Sequence, residues 1–226
     1  MPRVRAGFFS FTEVTDPREH RSYNEWHMLD HMPEQYPLPG IVYGQRWVAA
    51  PDCARARAAA EPPFGAVHYV TCYLMSDPLD ETLRAFYARG RELHRLGRFH
   101  RHRRAHRSGP FEVVGRVSAP RVLVSADAVP FRPHRGVYVV VGPGVDLDAA
   151  VAVPGVAGAW GFRPAAVPGD LPWRTGDDGI TVCWLDEEPL AVAPSLAPLV
   201  PPGARLAGPL RSIVPWQWDW FDAPAP

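Results

Sequence analysis

The residues best suited to chemistry lie in one short segment. A tyrosine, two histidines and a glutamate recur there at spacings of four, four and three residues, at Tyr23, His27, His31 and Glu34. This spacing places the four side chains on one face of a helix, with Trp26 and Asp30 beside it. Imidazole titrates near neutral pH, so a carboxylate that orients or polarises it makes it a general acid or base.

Three interpretations of this helix face are open. In the first, the helix is partly buried and both histidines are structural, which the neighbouring aromatic residues favour. In the second, His31 is a general acid or base, with Glu34 or Asp30 as the acid that orients it. In the third, the two histidines and Glu34 bind a divalent metal, although Pro33 disturbs the helical geometry. We prefer the second interpretation and assign no metal ligand.

A further histidine belongs to a predicted strand, Val67–Met75. Side chains alternate along a strand, which puts His68 on the same face as a cysteine and a leucine suited to packing beneath helices. We therefore expect His68 to point toward the helix that carries His27 and His31. The alternative is a solvent-exposed histidine at the edge of the strand. Tyr43, on the preceding predicted strand, is a weaker candidate hydrogen-bond donor.

The elements that must position these residues occur twice in the chain. Three landmarks follow one another in the same order in both halves: Gly7-Phe8-Phe9 and Gly136-Val137-Tyr138, Pro39-Gly40 and Pro154-Gly155, Thr71-Cys72-Tyr73-Leu74 and Val182-Cys183-Trp184-Leu185. Each half predicts the order strand, helix, strand, strand, helix, strand, which is the ferredoxin-like unit. We assign residues 1–128 to a first unit with the candidate site. Residues 134–222 form a degenerate second unit, its structural partner.

The predicted elements of the first unit are four strands and two helices. The strands are Val4–Thr12, Ile41–Val48, Val67–Met75 and Arg121–Ser125. The helices begin at Asp16-Pro17 and Asp77-Pro78 and run to about Met32 and Leu96. In the second unit the connection that should hold the first helix is much shorter, and prolines interrupt the second helix. We therefore expect reduced helices there.

The run from Asn24 to Trp47 resembles the dimeric α/β-barrel superfamily and, within it, the EthD-like proteins. The matching residues are Asn24-Glu25-Trp26-His27, Asp30-His31-Met32-Pro33-Glu34, Pro39-Gly40 and Gly44-Gln45-Arg46-Trp47. The resemblance implies an α+β fold in which the antiparallel sheets of two ferredoxin-like units pair into a barrel, here within one chain. It also implies a pocket between sheet and helices, with His31 as the family's helix histidine and Glu34 as its following acid.

Composition removes several classes of protein. All 24 basic residues are arginine, which excludes a Schiff-base lysine and a phosphate-binding P-loop. The formal net charge is zero, so we expect neither nucleic acid nor a membrane as partner. The three cysteines lack the paired spacing of zinc sites. We see no secretory signal near Met1 and expect a cytoplasmic protein.

A segment rich in arginine and histidine, residues 89–107, has two interpretations. It is either a solvated helix end and loop, or it binds an anionic small molecule at the mouth of the pocket. The sequence alone leaves its role open.

These observations predict a cofactor-independent acid/base enzyme of the cyclase, isomerase or dehydratase type. Its partner is a hydrophobic small molecule, aromatic or polyketide-like, and the chain is a monomer with an internal barrel or a homodimer. The candidate catalytic residues are His31, His27, His68, Glu34 and Asp30, and the candidate substrate-binding residues are Tyr23, Trp26, Tyr43 and Arg46. The alternatives are a non-catalytic binding protein and a monooxygenase-like enzyme that depends on haem or a divalent metal.

Overall fold

The chain forms an all-antiparallel sheet with helices on its outside. Its strands are rich in apolar residues, and turn-forming residues separate them. A computed structural model describes residues 3–222. Its strands are β1 (Val4–Val14), β2 (Ile41–Val48), β3 (Ala59–Ala60), β4 (Tyr69–Ser76), β5 (Arg103–Ser118), β6 (Gly136–Gly142), β7 (Val156–Pro164), β8 (Gly179–Leu185) and β9 (Leu206–Ser212). Its α-helices are α1 (His20–Trp26), α2 (Pro51–Arg55), α3 (Leu79–Arg95), α4 (Leu147–Ala152) and α5 (Pro189–Leu196). Within the described residues, no helix is both long and apolar enough to cross a membrane.

Eight of the described strands close into a barrel. Neighbouring strands follow the order β2-β4-β1-β5-β7-β8-β6-β9, and β9 returns to pair with β2. That closing seam is short, since it pairs Trp47 with Ser212 and Val48 with Arg211. The two-residue strand β3 adds to the edge of β9. Closure leaves few unpaired strand edges. The expected α+β fold with an internal antiparallel barrel is confirmed.

The two halves of the barrel share one topology. In the first half the strand order is β5-β1-β4-β2, and in the second it is β9-β6-β8-β7, the order of a ferredoxin-like sheet. The sheets join where β5 pairs with β7 and where β2 pairs with β9. The helices are unequal, because α3 has 17 residues whereas α4 and α5 have 6 and 8.

Alternation along β1 separates the barrel core from the candidate site. Phe9 and Phe11 are fully buried inside the barrel, in a cluster that includes Trp160 and Trp184. Their neighbours Phe8 and Ser10 project to the opposite face, beneath the helices. The interior is thus filled by aromatic and aliphatic side chains, and the cavity that a ligand could enter lies outside the barrel.

The fourth strand of the first unit was misplaced by the sequence analysis. The structure has no strand over 121–125, and the strand is instead β5, which begins inside the arginine- and histidine-rich segment. The charged side chains there have partners on neighbouring elements: His106 contacts Glu13 at 2.9 Å, and Arg107 contacts Asp178 at 3.0 Å. Hydrogen bonding to β1 and these ion pairs outweigh the low strand propensity of the segment.

The first predicted helix is divided into four short pieces. Asp16 accepts a hydrogen bond from the Arg18 backbone N–H at 3.0 Å and starts a 3-10 turn, Pro17–Glu19, ahead of α1. A π-helical turn, His27–His31, follows α1, and a second 3-10 turn, Pro33–Gln35, ends the segment. The π-helical turn ends one residue before Pro33, whose ring does not fit against the preceding turn of a regular α-helix.

Candidate functional site

The candidate site is a cavity of about 270 Å³ between the outer face of the first sheet and the helices. The walls are mainly aromatic, with hydroxyl groups from three strands. The floor consists of residues from three strands: Phe8 and Ser10 of β1, Thr71 and Tyr73 of β4, and Ser108 of β5. One side is formed by α3, through Phe86, Tyr87, Gly90, Arg91 and His94. The rest of the lining comes from His27, His31, Gln35, Phe99, Arg103 and Trp173. Trp173 belongs to the second half of the chain, so both halves contribute.

The π-helical turn presents both of its histidines to this cavity. His27, His31 and Gln35, spaced by four residues, line it, whereas Met28 and Met32 line a second cavity of about 410 Å³. The segment therefore separates two cavities, and its imidazoles all face one of them. Of the helical face predicted from Tyr23, His27, His31 and Glu34, only the two histidines line this cavity.

His27 lies between two tyrosine hydroxyls. A hydrogen bond of 3.1 Å joins its Nδ1 to Oη of Tyr23, and one of 3.5 Å joins its Nε2 to Oη of Tyr73. Tyr23 is fully buried and does not line the cavity, whereas Tyr73 does. The three side chains form a continuous hydrogen-bonded row that ends at the cavity wall.

His31 is held by aromatic packing. Its ring stacks on Trp26 with centroids 4.8 Å apart, and it meets Phe99 and His27 edge-on at 5.2 Å each. Its Nδ1 is buried and has no hydrogen-bond partner among the described residues. Ring stacking, rather than a hydrogen bond to an acid, therefore fixes the orientation of this imidazole.

Both imidazoles are neutral at pH 7. Burial lowers the pKa of His27 well below its usual value, and the positive charge of Arg46 lowers it further. Burial also lowers the pKa of His31, to about 4, with Arg103 as the next largest cause and Asp30 acting in the opposite direction. A neutral imidazole has one N–H and one nitrogen lone pair, so each ring is able to accept a proton.

The two acids predicted to orient the imidazoles bind arginines instead. Glu34 contacts Arg89 at 2.6 Å and Arg98 at 2.8 Å. Asp30 also pairs with Arg98. Neither carboxylate has a hydrogen bond to an imidazole among the described contacts, so the expected acid–histidine pair is wrong. A carboxylate–guanidinium hydrogen bond, with charge on both partners, is stronger than one to a neutral imidazole. These ion pairs fasten the π-helical turn and the 3-10 turn after it to α3 and to the segment that follows α3.

His68 lies outside the cavity. Its Nδ1 accepts a hydrogen bond of 3.1 Å from the backbone N–H of Val14, and its ring meets His20 edge-on at 4.8 Å. The expected strand faces were reversed, because Cys72 and Leu74 point into the barrel and the opposite face of β4 lies under the helices. In a closed barrel both faces of a strand are buried, so the apolar pattern does not distinguish them.

The four predicted substrate-binding residues have different locations. Tyr23 is hydrogen-bonded to His27, and Trp26 stacks on His31. Trp26 also donates its indole N–H to the carbonyl oxygen of Arg98 at 2.7 Å. Arg46 is buried, donates to Oδ1 of Asn24 at 3.0 Å, and lies over the rings of Tyr23 and Tyr69. Tyr43 lines the second cavity. None of the four lines the cavity that contains the histidines.

Several lining residues were missed by the sequence analysis. Tyr73 and Thr71 were missed because the faces of β4 were reversed, and Ser10 was missed because no faces were assigned to β1. Trp173 lies in an irregular segment with no periodicity. Arg103 was not singled out. It belonged to the arginine-rich segment, for which binding of an anionic small molecule at the pocket mouth was one of two interpretations.

The predicted metal alternative lacks a matching ligand set. Glu34 turns away to its arginines, so His27, His31 and Glu34 do not converge. Among residues 3–222 the one group of three that could hold a metal ion is Asp16, Glu19 and His102. The two carboxylate oxygens of Asp16 already accept hydrogen bonds from Arg18, at 3.1 and 2.8 Å.

Comparisons with known proteins show a fold and no family. No family model and no curated protein matches the chain. Among solved structures, a putative chlorite dismutase matches with a TM-score of 0.50 at 8% identity, over 96% of this chain and 98% of that chain. An anthrone oxidase-like protein matches with a TM-score of 0.47 at 12% identity, over 93% and 92% of the two chains. A mutant chlorite dismutase from Candidatus Nitrospira defluvii gives 0.47 at 10% identity, over 98% and 95%. At these identities the likeness concerns the barrel fold alone.

Proposed function

We propose that this protein is a cofactor-independent acid/base enzyme that enolises a small aromatic ketone, as the first step of an isomerisation, cyclisation or dehydration. One observation carries the proposal. Two imidazoles held in the neutral form share the wall of an aromatic-lined cavity with a tyrosine hydroxyl. Buried groups whose pKa is shifted inside a cavity are typical of sites of proton transfer. The resemblance of Asn24–Trp47 to EthD-like proteins agrees with this function.

The volume of the cavity limits the size of the substrate. Ligand pockets commonly have volumes of roughly 300–1,000 Å³, so a cavity of about 270 Å³ is small. Besides Tyr73, its walls offer five aromatic side chains for stacking: Phe8, Phe86, Tyr87, Phe99 and Trp173. A molecule of one or two fused rings suits this space better than a large polycyclic compound.

His31 is the proposed base. Its Nδ1 is buried, so Nε2 is the ring nitrogen left to face the cavity. Nε2 takes a proton from the carbon next to the substrate carbonyl, the C–H electrons form a carbon–carbon double bond, and the carbonyl oxygen becomes an enolate. Return of the proton to another carbon completes an isomerisation.

Tyr73 is the proposed donor to the enolate oxygen. Where Nδ1 of His27 accepts a hydrogen bond from Tyr23, the N–H on Nε2 donates to Oη of Tyr73, which leaves the Tyr73 hydroxyl proton for the substrate. Burial raises the pKa of Tyr73 well above its usual range, so the phenol keeps this proton. A fixed donor in a cavity with little water stabilises the developing negative charge.

A haem-dependent enzyme is the competing proposal, and the described cavity does not fit it. Four pyrrole rings and two propionates need far more space than the described walls leave. Both nitrogens of His27 are already paired with tyrosines, so His27 offers no free ligand atom. We derive no step through haem.

Deuterium exchange into 2-tetralone, a bicyclic aromatic ketone with an acidic C–H, tests the proposal. In buffered D₂O we expect the wild-type protein to accelerate exchange at C1 over buffer. His31→Asn should lose at least about tenfold of that acceleration, the usual contribution of a positioned base being 10²–10⁴. Proton NMR measures the loss of the C1 signal with time.

His102→Asn is the matched control, since His102 does not line the cavity. Equal acceleration by wild type and His31→Asn would remove His31 from the mechanism. Binding of 2-tetralone without any acceleration by the wild type would favour the alternative of a non-catalytic binding protein.

A further inference from the structure

Two arginines of the arginine-rich segment, Arg91 and Arg103, line the cavity, and neither has an acidic partner among residues 3–222. Arg91 is exposed to solvent, whereas Arg103 is partly buried. Five other arginines of the segment have carboxylates close by: Arg89 with Glu34, Arg98 with Asp30 and Glu34, Arg101 with Glu19, Arg104 with Glu13, and Arg107 with Asp178. Arg95, like Arg91, is exposed. For Arg103 no carboxylate within residues 3–222 lies within 4.0 Å of its guanidinium. A partly buried charge that lacks a counter-ion in the protein is costly unless something else pairs with it.

The position of Arg103 directs its charge into the cavity. It stands at the start of β5, opposite Val14, and lines the cavity together with Ser10 and Ser108. Its Nη2 lies 3.5 Å from Oγ of Ser10. Its guanidinium lies 5.7 Å from the centre of the Phe99 ring, the same ring that meets His31 edge-on. The guanidinium and the imidazole of His31 therefore share one aromatic wall.

We propose that Arg103 binds an anionic oxygen of the substrate, so that the substrate class is an aromatic acid, with a carboxylate or an ionised phenol on a ring that fills the cavity. The inference rests on the proposed function and deepens it. The guanidinium presents several N–H donors to an oxyanion, and the hydroxyls of Ser10 and Ser108 add donors beside it. The aromatic walls take the ring.

Binding of such an anion also changes the base. The charges that act on His31 come from several elements: Asp30 on its own segment, Arg46 on β2, Arg98 after α3, and Arg103 on β5. Arg103 is the largest of the charge effects and disfavours the imidazolium. An anion paired with Arg103 cancels that effect and makes His31 a stronger base when the substrate is present. The protein would thus keep a weak base until an acidic substrate arrives.

A matched pair of probes tests the proposal: 2-naphthoate, which is an anion, and 2-naphthamide, its neutral analogue. Isothermal titration calorimetry at pH 7.5 measures both affinities. We expect wild type to bind the naphthoate at least about tenfold more tightly, which corresponds to about 1.4 kcal/mol. This preference should shrink as salt is raised.

Four variants locate the anion. Arg103→Met should lose most of the preference, and Arg103→Lys should keep part of it. Arg101→Met, at an exposed arginine in the same segment, should keep all of it. Arg91→Met, at the cavity mouth, should reduce it less than Arg103→Met does. Equal affinity of wild type for both probes, or a greater loss in Arg91→Met than in Arg103→Met, would overturn the proposal.

A second readout keeps the test independent of folding defects and of catalysis. NMR titration of the His31 imidazole in wild-type protein should give a higher pKa with 2-naphthoate bound than with 2-naphthamide bound. His31→Asn should bind the naphthoate with unchanged preference while losing deuterium exchange. If His31→Asn loses exchange and keeps its preference for the naphthoate, both proposals are supported. If the wild-type protein prefers the naphthoate but catalyses no exchange, the anion site is supported and the acid/base function is refuted.

Discussion

At the scale of single residues, the sequence predicted which histidines line the cavity better than it predicted which residues pair with the acids beside them. Helical spacing placed His27 and His31 together, and both line the cavity. The same spacing suggested Glu34 as the acid beside His31, yet Glu34 binds two arginines that follow in the chain by 55 and 64 residues. Such long-range partners leave no trace in local periodicity. The donors Tyr73 and Arg103 reach the site through strand pairing, which the sequence analysis did not resolve.

Substitution of Asp30 and of Glu34 tests which of the two carboxylates acts on the pKa of His31 and which only binds arginines. Asp30 favours the imidazolium of His31, so Asp30→Asn should lower the pKa of His31 further. Glu34→Gln should leave the His31 titration where it is, because Glu34 is not among the charges that act on that ring. NMR titration of the imidazole carbon-bound protons measures both. An upward shift in Asp30→Asn, or a large shift in Glu34→Gln, would contradict the described contacts.

At the scale of elements, the turn into β2 depends on a glycine. Gly40 has a φ of +84°, in the left-handed region that favours glycine. A Cβ built there would run into the side chain of Thr82, which lies at the start of α3. The Pro39-Gly40 landmark was visible in the sequence, and its partner Pro154-Gly155 also has a positive φ at the glycine, +88°. Turn chemistry was therefore a reliable guide to element boundaries.

Gly40→Ala should lower the free energy of unfolding by at least about 1–2 kcal/mol, the usual penalty for an L-residue in the left-handed region. Gly144→Ala is the matched control, since its Cβ would meet nothing within 4 Å, and a compatible Gly→Ala change is neutral or stabilises by up to about 1 kcal/mol. Urea denaturation measures both. Equal stability of the two variants would show that the turn tolerates a side chain.

At the scale of the whole molecule, one chain closes the barrel. The repeated landmarks were sufficient to predict two sheets and reduced helices in the second half. They did not show that Trp173 from the second half would close the cavity of the first, or that β5 would begin inside the basic segment. Both depend on the pairing of β5 with β1 and β7, which local propensity does not encode.

The distribution of buried histidines makes the stability of the molecule sensitive to acid. Burial lowers the pKa of His20 to about 3 and that of His31 to about 4, and it lowers the pKa of His27 well below its usual value. These rings bind protons in the unfolded chain below pH about 6.5 but not in the native state. Their contribution to stability is therefore complete above that pH and is lost as the pH falls toward the native pKa values.

We expect the free energy of unfolding to fall between pH 7 and pH 5, by about 1.4 kcal/mol per pH unit for each such histidine once the pH is below 6.5. Urea titrations at several pH values measure the slope. His20→Gln should have a shallower slope than wild type, because one of these groups is gone. A stability that is flat over this range would contradict neutral burial of the three imidazoles.

The pH dependence of deuterium exchange into 2-tetralone tests the central claim most directly, because it joins the identity of the base to its electrostatic environment. A base with the pKa of His31, about 4, stays mostly unprotonated at pH 5. The exchange rate that the wild-type protein adds to the buffer rate should therefore be nearly constant from pH 7.5 to pH 5. Circular dichroism confirms that the fold persists over this range. His31→Asn should lack this added rate at every pH. A fall of about thirtyfold over this range, as expected for an ordinary imidazole with a pKa of about 6.5, would contradict the account, as would an undiminished rate in His31→Asn.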